Sequence, residues 1–273
     1  MRTPRFSVII PTLNEEKFLP HLLTSLTEQT KKDFEVIVVD GKSKDKTVAV
    51  ARSFEGKLPH LTVLVSKKAS LPLQRNLGAA AARGEWFVFI DADGVLMPYF
   101  IERIGQYIAD QHPAVFSTWA QPDSDVNNDA IFTLLANIFW ESMVVWKRPA
   151  APGPLTVVRN DIFRDVGGYD ERHAFNEDVD LGLRLAKRGF TLTMVRESLY
   201  IWSMRRFRKH GTLRVIEQLA LSSIPIFILK RPLKSLPGYV MGGQLYRKKK
   251  KINRSALIQY ERKLKALVKE LFA

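Results

Sequence analysis

Glu85-Trp86-Phe87-Val88-Phe89-Ile90-Asp91-Ala92-Asp93-Gly94 sets five large apolar residues in a row against two acids. A run of that length and composition predicts a strand covered on both faces, as in a parallel sheet flanked by helices. Gly94 then allows a sharp turn, and Pro98 can open a helix. Ligands of open α/β sheets bind outside the carboxyl ends of the strands, so Asp91 and Asp93 are expected at the rim of a site. Two acids there suit a divalent cation that carries a phosphate.

Asp-x-Asp recurs at Asp123/Asp125 and Asp178/Asp180. Asp123 and Asp125 lie among Pro122, Asn127, Asn128 and Asp129 and read as a solvated loop. Asp178 and Asp180 open a helical pattern, where acids favour the helix dipole whatever else they do. Only Asp91 and Asp93 cap a buried strand.

Before this stretch, Phe6 to Ile10 is a strand and Pro11-Thr12-Leu13-Asn14-Glu15-Glu16 leads into a helix carrying Leu19, Leu22, Leu23 and Leu26, with Thr12 or Asn14 as its cap and acids in its first turn. Phe34 to Val39 is a second buried strand ending in Asp40. A polar loop, Gly41 to Thr47, follows, with Asp45 placed to cap the helix through Val48 and Phe54. Leu61 to Val65 is a third strand, and Leu71 to Ala82 a helix whose small residues let it lie close to the sheet. After the acids, a helix from Pro98 to about Ala109 and a strand from Ala114 to Trp119 continue the alternation of βαβ units.

Ala130 to Trp146 breaks this rhythm with a long, aromatic-rich helix bearing one narrow polar stripe, Thr133, Asn137 and Glu141. It is expected to be buried between domains or to form a wall that meets a greasy acceptor. Leu155 to Val158 is a strand, Asp161 to Val166 a short helix, Gly167-Gly168-Tyr169-Asp170 a tight turn, and Asn176-Glu177-Asp178 the entry to a helix closed by Gly189. Thr191 to Val195 and Leu199 to Trp202 read as two late strands.

The chain of 273 residues has room for one α/β domain with an appendage, divided here into residues 1–204 and 205–273. It has no cysteine, which excludes disulfides, thiolate zinc sites and a cysteine nucleophile. No signal peptide is evident, so cytoplasmic residence is the default expectation. The net charge of +14 is uneven: residues 1–195 carry 23 Lys and Arg against 24 Asp and Glu, and residues 196–273 carry 19 against 4. Such asymmetry calls for a partner of opposite sign, nucleic acid or anionic membrane. Nucleic acid is the weaker reading, because the acid-lined site would repel it and the basic run Arg247 to Lys251 belongs to no recognised module. The apolar stretch Leu219 to Leu229 is too short to span a bilayer, and the chain closes on an amphipathic pattern of Leu257, Tyr260, Leu264, Leu267, Val268 and Leu271. Together these features favour docking on the cytoplasmic face of the cell membrane and a lipid-linked acceptor, over packing on the catalytic domain or pairing of two subunits.

In chain order, Val8-Ile9-Ile10-Pro11-Thr12-Leu13-Asn14-Glu15-Glu16, Val38-Val39-Asp40 with Ser43 to Thr47, Arg75-Asn76-Leu77-Gly78, Asp91-Ala92-Asp93, Gly167-Gly168-Tyr169-Asp170 and Glu177-Asp178 resemble the inverting GT-A glycosyltransferases of family 2, which use nucleotide-sugar donors. The resemblance covers Phe6 to Phe207 and implies a Rossmann-like, mostly parallel sheet flanked by helices with a basic helical C-terminal extension. It implies a nucleotide-sugar half in residues 1–120 and an acceptor half in 121–204. By the same resemblance Pro11, Asn14 and Glu16 line the nucleotide pocket, Asp40 accepts from the base, and Arg75 sits near the base or diphosphate. Asp91 touches ribose or the metal shell, Asp93 ligates Mg²⁺ or Mn²⁺, Asp178 is the catalytic base, and Arg205 and Arg206 approach the diphosphate of a UDP- or GDP-linked sugar. Gly41 and Lys42 stand where relatives often carry a second acid, and no Gln-x-x-Arg-Trp segment of processive synthases is present, which argues for transfer of a single sugar. A scaffold with the fold but no activity is the alternative, disfavoured because Asp91, Asp93 and Asp178 are all retained.

Overall fold

Every residue of β1 (Phe6–Thr12) and β2 (Phe34–Asp40) is buried in the computed structural model, which describes residues 3–145, 153–173 and 175–211. With β3 (Leu61–Val65) and β4 (Trp86–Ile90) they form a parallel block in which β1 lies between β2 and β4. Thr12 stands opposite Asp40 and Ile9 opposite Phe89, so the acids that follow β2 and β4 leave the sheet along one edge. Successive side chains of these strands enter two different cores, as the two-residue period requires. Val88 and Ile90 join Val8, Val36 and the helices α1 (Leu19–Thr27) and α4 (Phe100–Gln111) on one face. Phe87 and Phe89 join Ile9, Ile37 and Phe163 on the other. There α3 (Leu71–Ala81) lies directly on β1: a Cβ at Gly78 would fall 2.4 Å from Ile9 Cγ2, so the small-residue reading of that helix holds.

The second half extends the same sheet. β5 (Val95–Leu96), β6 (Val115–Pro122), β7 (Leu155–Arg159) and β8 (Leu192–Trp202) complete the order β3-β2-β1-β4-β7-β6-β8-β5. β7 runs antiparallel to β4 and β6, whereas β6 and β8 are parallel. Around it stand α2 (Thr47–Arg52), α5 (Asn127–Val145), α6 (Asn160–Asp165), α7 (Glu177–Lys187) and α8 (Arg205–His210).

Several expectations need correction. The two late strands are one, β8, whose pairing with β6 slips at Thr118/Trp119 and Trp119/Ala120. Neither Thr12 nor Asn14 caps α1, and Glu15 and Glu16 precede its first turn; α1 starts later, with Pro20 in its first turn. Asn14 instead adopts φ 54 and fixes the turn after β1. Asp123 is no solvated loop acid: it accepts from Met204 N at 3.0 Å and pairs with Arg208 at 2.8 Å, anchoring α8. Finally, α5 turns its narrow polar stripe inward, so among the described residues its apolar side does not face the sheet. Its polar Thr133 and Asn137 are buried, whereas Ile131, Leu134, Leu135 and Ile138 are exposed. Trp146, Leu219–Leu229, Arg247–Lys251 and the terminal amphipathic pattern lie outside the described residues.

Candidate functional site

Four of the expected donor residues meet where the loops after β1 and β2 are sewn together. Asp40, buried at the end of β2, accepts from Ser43 N at 2.8 Å and from Thr12 Oγ1 at 3.3 Å. Asn14 N donates to Ser43 Oγ, and Asn14 Oδ1 accepts from Lys44 N, both at 2.7 Å. Glu16 Oε2 accepts from Lys46 N at 3.0 Å, and Pro11 is buried opposite Val39. Side-chain to backbone bonds of this kind fix an irregular loop as a ladder fixes a strand.

Arg75, expected near the base or diphosphate, lies beneath the acids, 1% exposed, donating to Asp91 Oδ1 at 3.1 Å, Glu177 Oε1 at 2.9 Å and Gly153 O at 2.8 Å. Its guanidinium also faces the Tyr169 ring at 5.1 Å. A buried cation forking to two carboxylates ties the end of β4 to the start of α7. Asp91 and Asp178, which belong to separate Asp-x-Asp pairs, are thereby brought into one site.

Asp178 is the second residue of α7, with its Oδ1 accepting from Val179 N at 2.8 Å. Burial pushes its carboxyl up to about 7, the neighbouring Glu177 charge adds to the rise, and Arg75 opposes it. Burial also raises Asp91 to about 6, with Arg75 pulling the other way. A carboxyl held near neutrality can take a proton from a hydroxyl more readily than an ordinary one. Gly153 makes room for it: a Cβ there would lie 2.7 Å from Asp178 Oδ2.

Arg205 closes the opposite side. Its Nη1 and Nη2 bind Glu15 Oε2 and Oε1 at 2.6 and 2.7 Å, its Nε binds Asp93 Oδ2 at 2.6 Å, and its guanidinium lies 4.7 Å from the centre of the Phe18 ring. Burial raises the Asp93 carboxyl, while the charges of Arg205 and then Arg206 draw it down. Glu15 is pushed up to about 7, by burial first and despite Arg205. Sequence reasoning missed both Glu15 and Gly153. Glu15 sits in a turn where no period distinguishes it from Glu16, and the need for glycine at 153 comes from α7, which is remote in sequence.

Asp91 and Asp93 offer hard oxygen donors at a strand end, the donor type that Mg²⁺ and Mn²⁺ prefer, and Asp91 meets Arg75 through one oxygen only. Their chemistry fits such an ion, with Arg205 Nε paired to Asp93 Oδ2 at 2.6 Å. A separate group, Asp170, His173 and Asp180, also gathers ligand-type atoms within 4.8 Å, but Arg172 and Arg184 hold its carboxylates at 2.7 and 2.8 Å.

The profile of Glycosyl transferase family 2 matches residues 7–166. An uncharacterized glycosyltransferase of Haemophilus influenzae is 29% identical over 199 residues, 71% of this chain and 66% of the relative. A PGL/p-HBAD biosynthesis glycosyltransferase of Mycobacterium bovis is 29% identical over 191 residues, 67% of this chain and 70% of the relative. Among solved structures, Staphylococcus aureus TarS 1-349 in complex with UDP-GlcNAc superposes with TM-score 0.61 at 23% identity over 73% of this chain and 58% of that one. A mannosyltransferase from Pyrobaculum calidifontis in complex with GDP-Man and Mn²⁺ gives 0.66 at 20% identity, covering 85% of this chain and 66% of that one. The chain thus spans about two thirds or less of several of these relatives. With the GT-A arrangement of its sheet and a profile match over more than half its length, the chain belongs to glycosyl transferase family 2.

Proposed function

We propose that this chain is a metal-dependent, inverting glycosyltransferase that moves one sugar from a UDP- or GDP-linked donor to an acceptor, which we take to be lipid-linked, on the cytoplasmic face of a membrane. The observation that supports the reading is the grip of Arg75 on Asp91 and Glu177 together, which ties the residues after β4 to the first turn of α7, where Asp178 stands. The structures of TarS and the Pyrobaculum enzyme are complexes with UDP-GlcNAc and GDP-Man, which supports a nucleotide-sugar donor without choosing the base.

In this reading Pro11, Asn14, Glu16 and Asp40 line the nucleotide end of the cleft, in residues 1–120. Asp91 and Asp93 would hold Mg²⁺ or Mn²⁺, which supplies positive charge to the leaving diphosphate. Arg205 and Arg206 add to that charge from the other side. Asp178, in the acceptor half, removes the acceptor hydroxyl's proton as the oxygen attacks the anomeric carbon. One direct displacement inverts that carbon and needs no protein nucleophile. Residues 205–273 provide the basic surface for docking, and no helix among the described residues is long and apolar enough to cross a membrane.

The test is release of nucleoside diphosphate from a panel of UDP- and GDP-sugars with Mn²⁺ or with EDTA. One donor class should be consumed only with the metal. Asp178→Asn should cut transfer to a hydroxyl acceptor by roughly 10²–10⁴-fold, the contribution of a positioned base, while donor binding persists. An Asn variant with full transfer would reject the assignment of the base.

A further inference from the structure

We propose that the outward face of α5 inserts into the interface of an anionic membrane and seats the acceptor side of the cleft against it. Ile131, Leu134, Leu135 and Ile138 are 58%, 48%, 59% and 48% exposed. Their spacing puts them on one stripe, and Phe139 and Val145 extend the apolar surface. Contiguous apolar surface of this kind marks a contact with something other than water.

The helix cannot hide the stripe by rolling over. Asn137, on its buried side, donates to Ala120 O and accepts from Ala120 N, both at 3.0 Å, and Glu141 is held by Arg196 at 2.7 Å. Its two ends reach the elements that carry the chemistry. Met143 packs with Val179, next to Asp178, and the Phe132 ring lies 4.3 Å from Phe207, two residues after Arg205.

Charge decides the occupant. Residues 212–273, which continue from beside Phe207, carry 14 Lys and Arg against 3 Asp and Glu. Pairing two copies would bring two such excesses together, whereas an anionic lipid surface attracts them at about 1 kcal/mol per basic residue near it. A helix from Ile131 to Val145 runs roughly 21 Å at 1.5 Å per residue, the geometry of an amphipathic segment lying in the interface and not across it. The inference deepens the membrane reading given above: the exposed stripe is an observation on α5, and the choice of lipid over a second copy rests on the charge of residues 212–273.

A chain without cysteine allows a single reporter to be placed at will. The full chain carrying Ile138→Cys, labelled with an environment-sensitive fluorophore, should brighten and shift to the blue with phosphatidylglycerol vesicles and be quenched by lipids brominated on the acyl chain. The same label at exposed Glu55→Cys should stay unchanged. Leu134→Gln with Ile138→Gln should weaken vesicle binding by about 10²-fold, the scale of withdrawing two aliphatic side chains from an apolar phase. Release of nucleoside diphosphate in solution should remain unaltered in that variant. A label at residue 138 that ignores vesicles overturns the proposal. If that label is already blue-shifted at every protein concentration, the chain's own tail covers α5; if it shifts as concentration rises, a second copy does. Donor turnover is read without vesicles, so loss of the glycosyltransferase reading and loss of this one are separate results.

Discussion

Arg75 shows how one buried side chain can tie together two regions of the candidate site. Its fork is shared by Asp91, Glu177 and Gly153 O, so Arg75→Met would leave two carboxylates without their cation. Breaking one side of a buried ion pair costs roughly 3–5 kcal/mol, and urea unfolding should show a loss of that size. The raised carboxyls give a second expectation. An acid whose pKa is higher folded than unfolded holds its proton longer in the native state, so stability falls as pH rises between the two values. Asp178 and Glu15, both near 7, should therefore make the ligand-free protein melt lower at pH 7.5 than at pH 5, and Asp178→Asn should flatten part of that slope. Catalysis should move the opposite way, rising with pH up to about 7 as the Asp178 base loses its proton. Asp91 and Asp93 stood out in the sequence because a buried strand announces its end, whereas a helix start alone reads as dipole stabilisation and Asp178 was singled out by the family resemblance of Glu177-Asp178. The place of Arg75 was not legible, since a helix pattern does not reveal that its one arginine is buried under acids from β4 and α7.

Among the elements, the parallel block was readable because buried strands leave apolar runs and the connections between them are short. The inverted α5 was not. Its polar stripe was visible, but what that stripe meets depends on β6, where pairing with β8 slips on both sides of Trp119. β7 pairs only with Val115 and Phe116 of β6, and further along the strand the Asn137 amide meets the N–H and C=O of Ala120 together. Asn137→Leu would keep the size of the side chain, leave the Ala120 N–H without the Asn137 acceptor and leave Ala120 O with only the long 3.5 Å contact from Ser198 Oγ. Each unsatisfied group costs about 1–3 kcal/mol, so thermal and urea unfolding should both register a large loss from a change that makes the core more apolar. Unchanged stability would mean that β6 and β8 re-pair without help. The same dependence hid the true role of Asp123: its partners Met204 and Arg208 belong to an element more than eighty residues further along.

On the scale of the whole molecule, Arg205 joins the two ends of the described chain. It reaches Glu15, 190 residues away, and Asp93 at the end of β4, so three distant segments share one guanidinium. Asp93 is the proposed metal ligand, and in the absence of donor Arg205 already neutralises it. A cation held there would compete with Arg205 for Asp93, and a diphosphate would offer the arginine a new anion. Arg205→Ala should consequently have effects of opposite sign. Mn²⁺ alone should bind more tightly, because its carboxylate is no longer paired. Turnover should drop by roughly 10²–10³-fold, because the leaving diphosphate loses one stabilising charge. Calorimetric titration with Mn²⁺, before and after addition of nucleoside diphosphate, measures the first effect, and donor consumption measures the second. If metal binding weakens along with turnover, Arg205 supports the shape of the site without competing for Asp93; if neither changes, its bonds to Glu15 and Asp93 serve only to hold α8 in place.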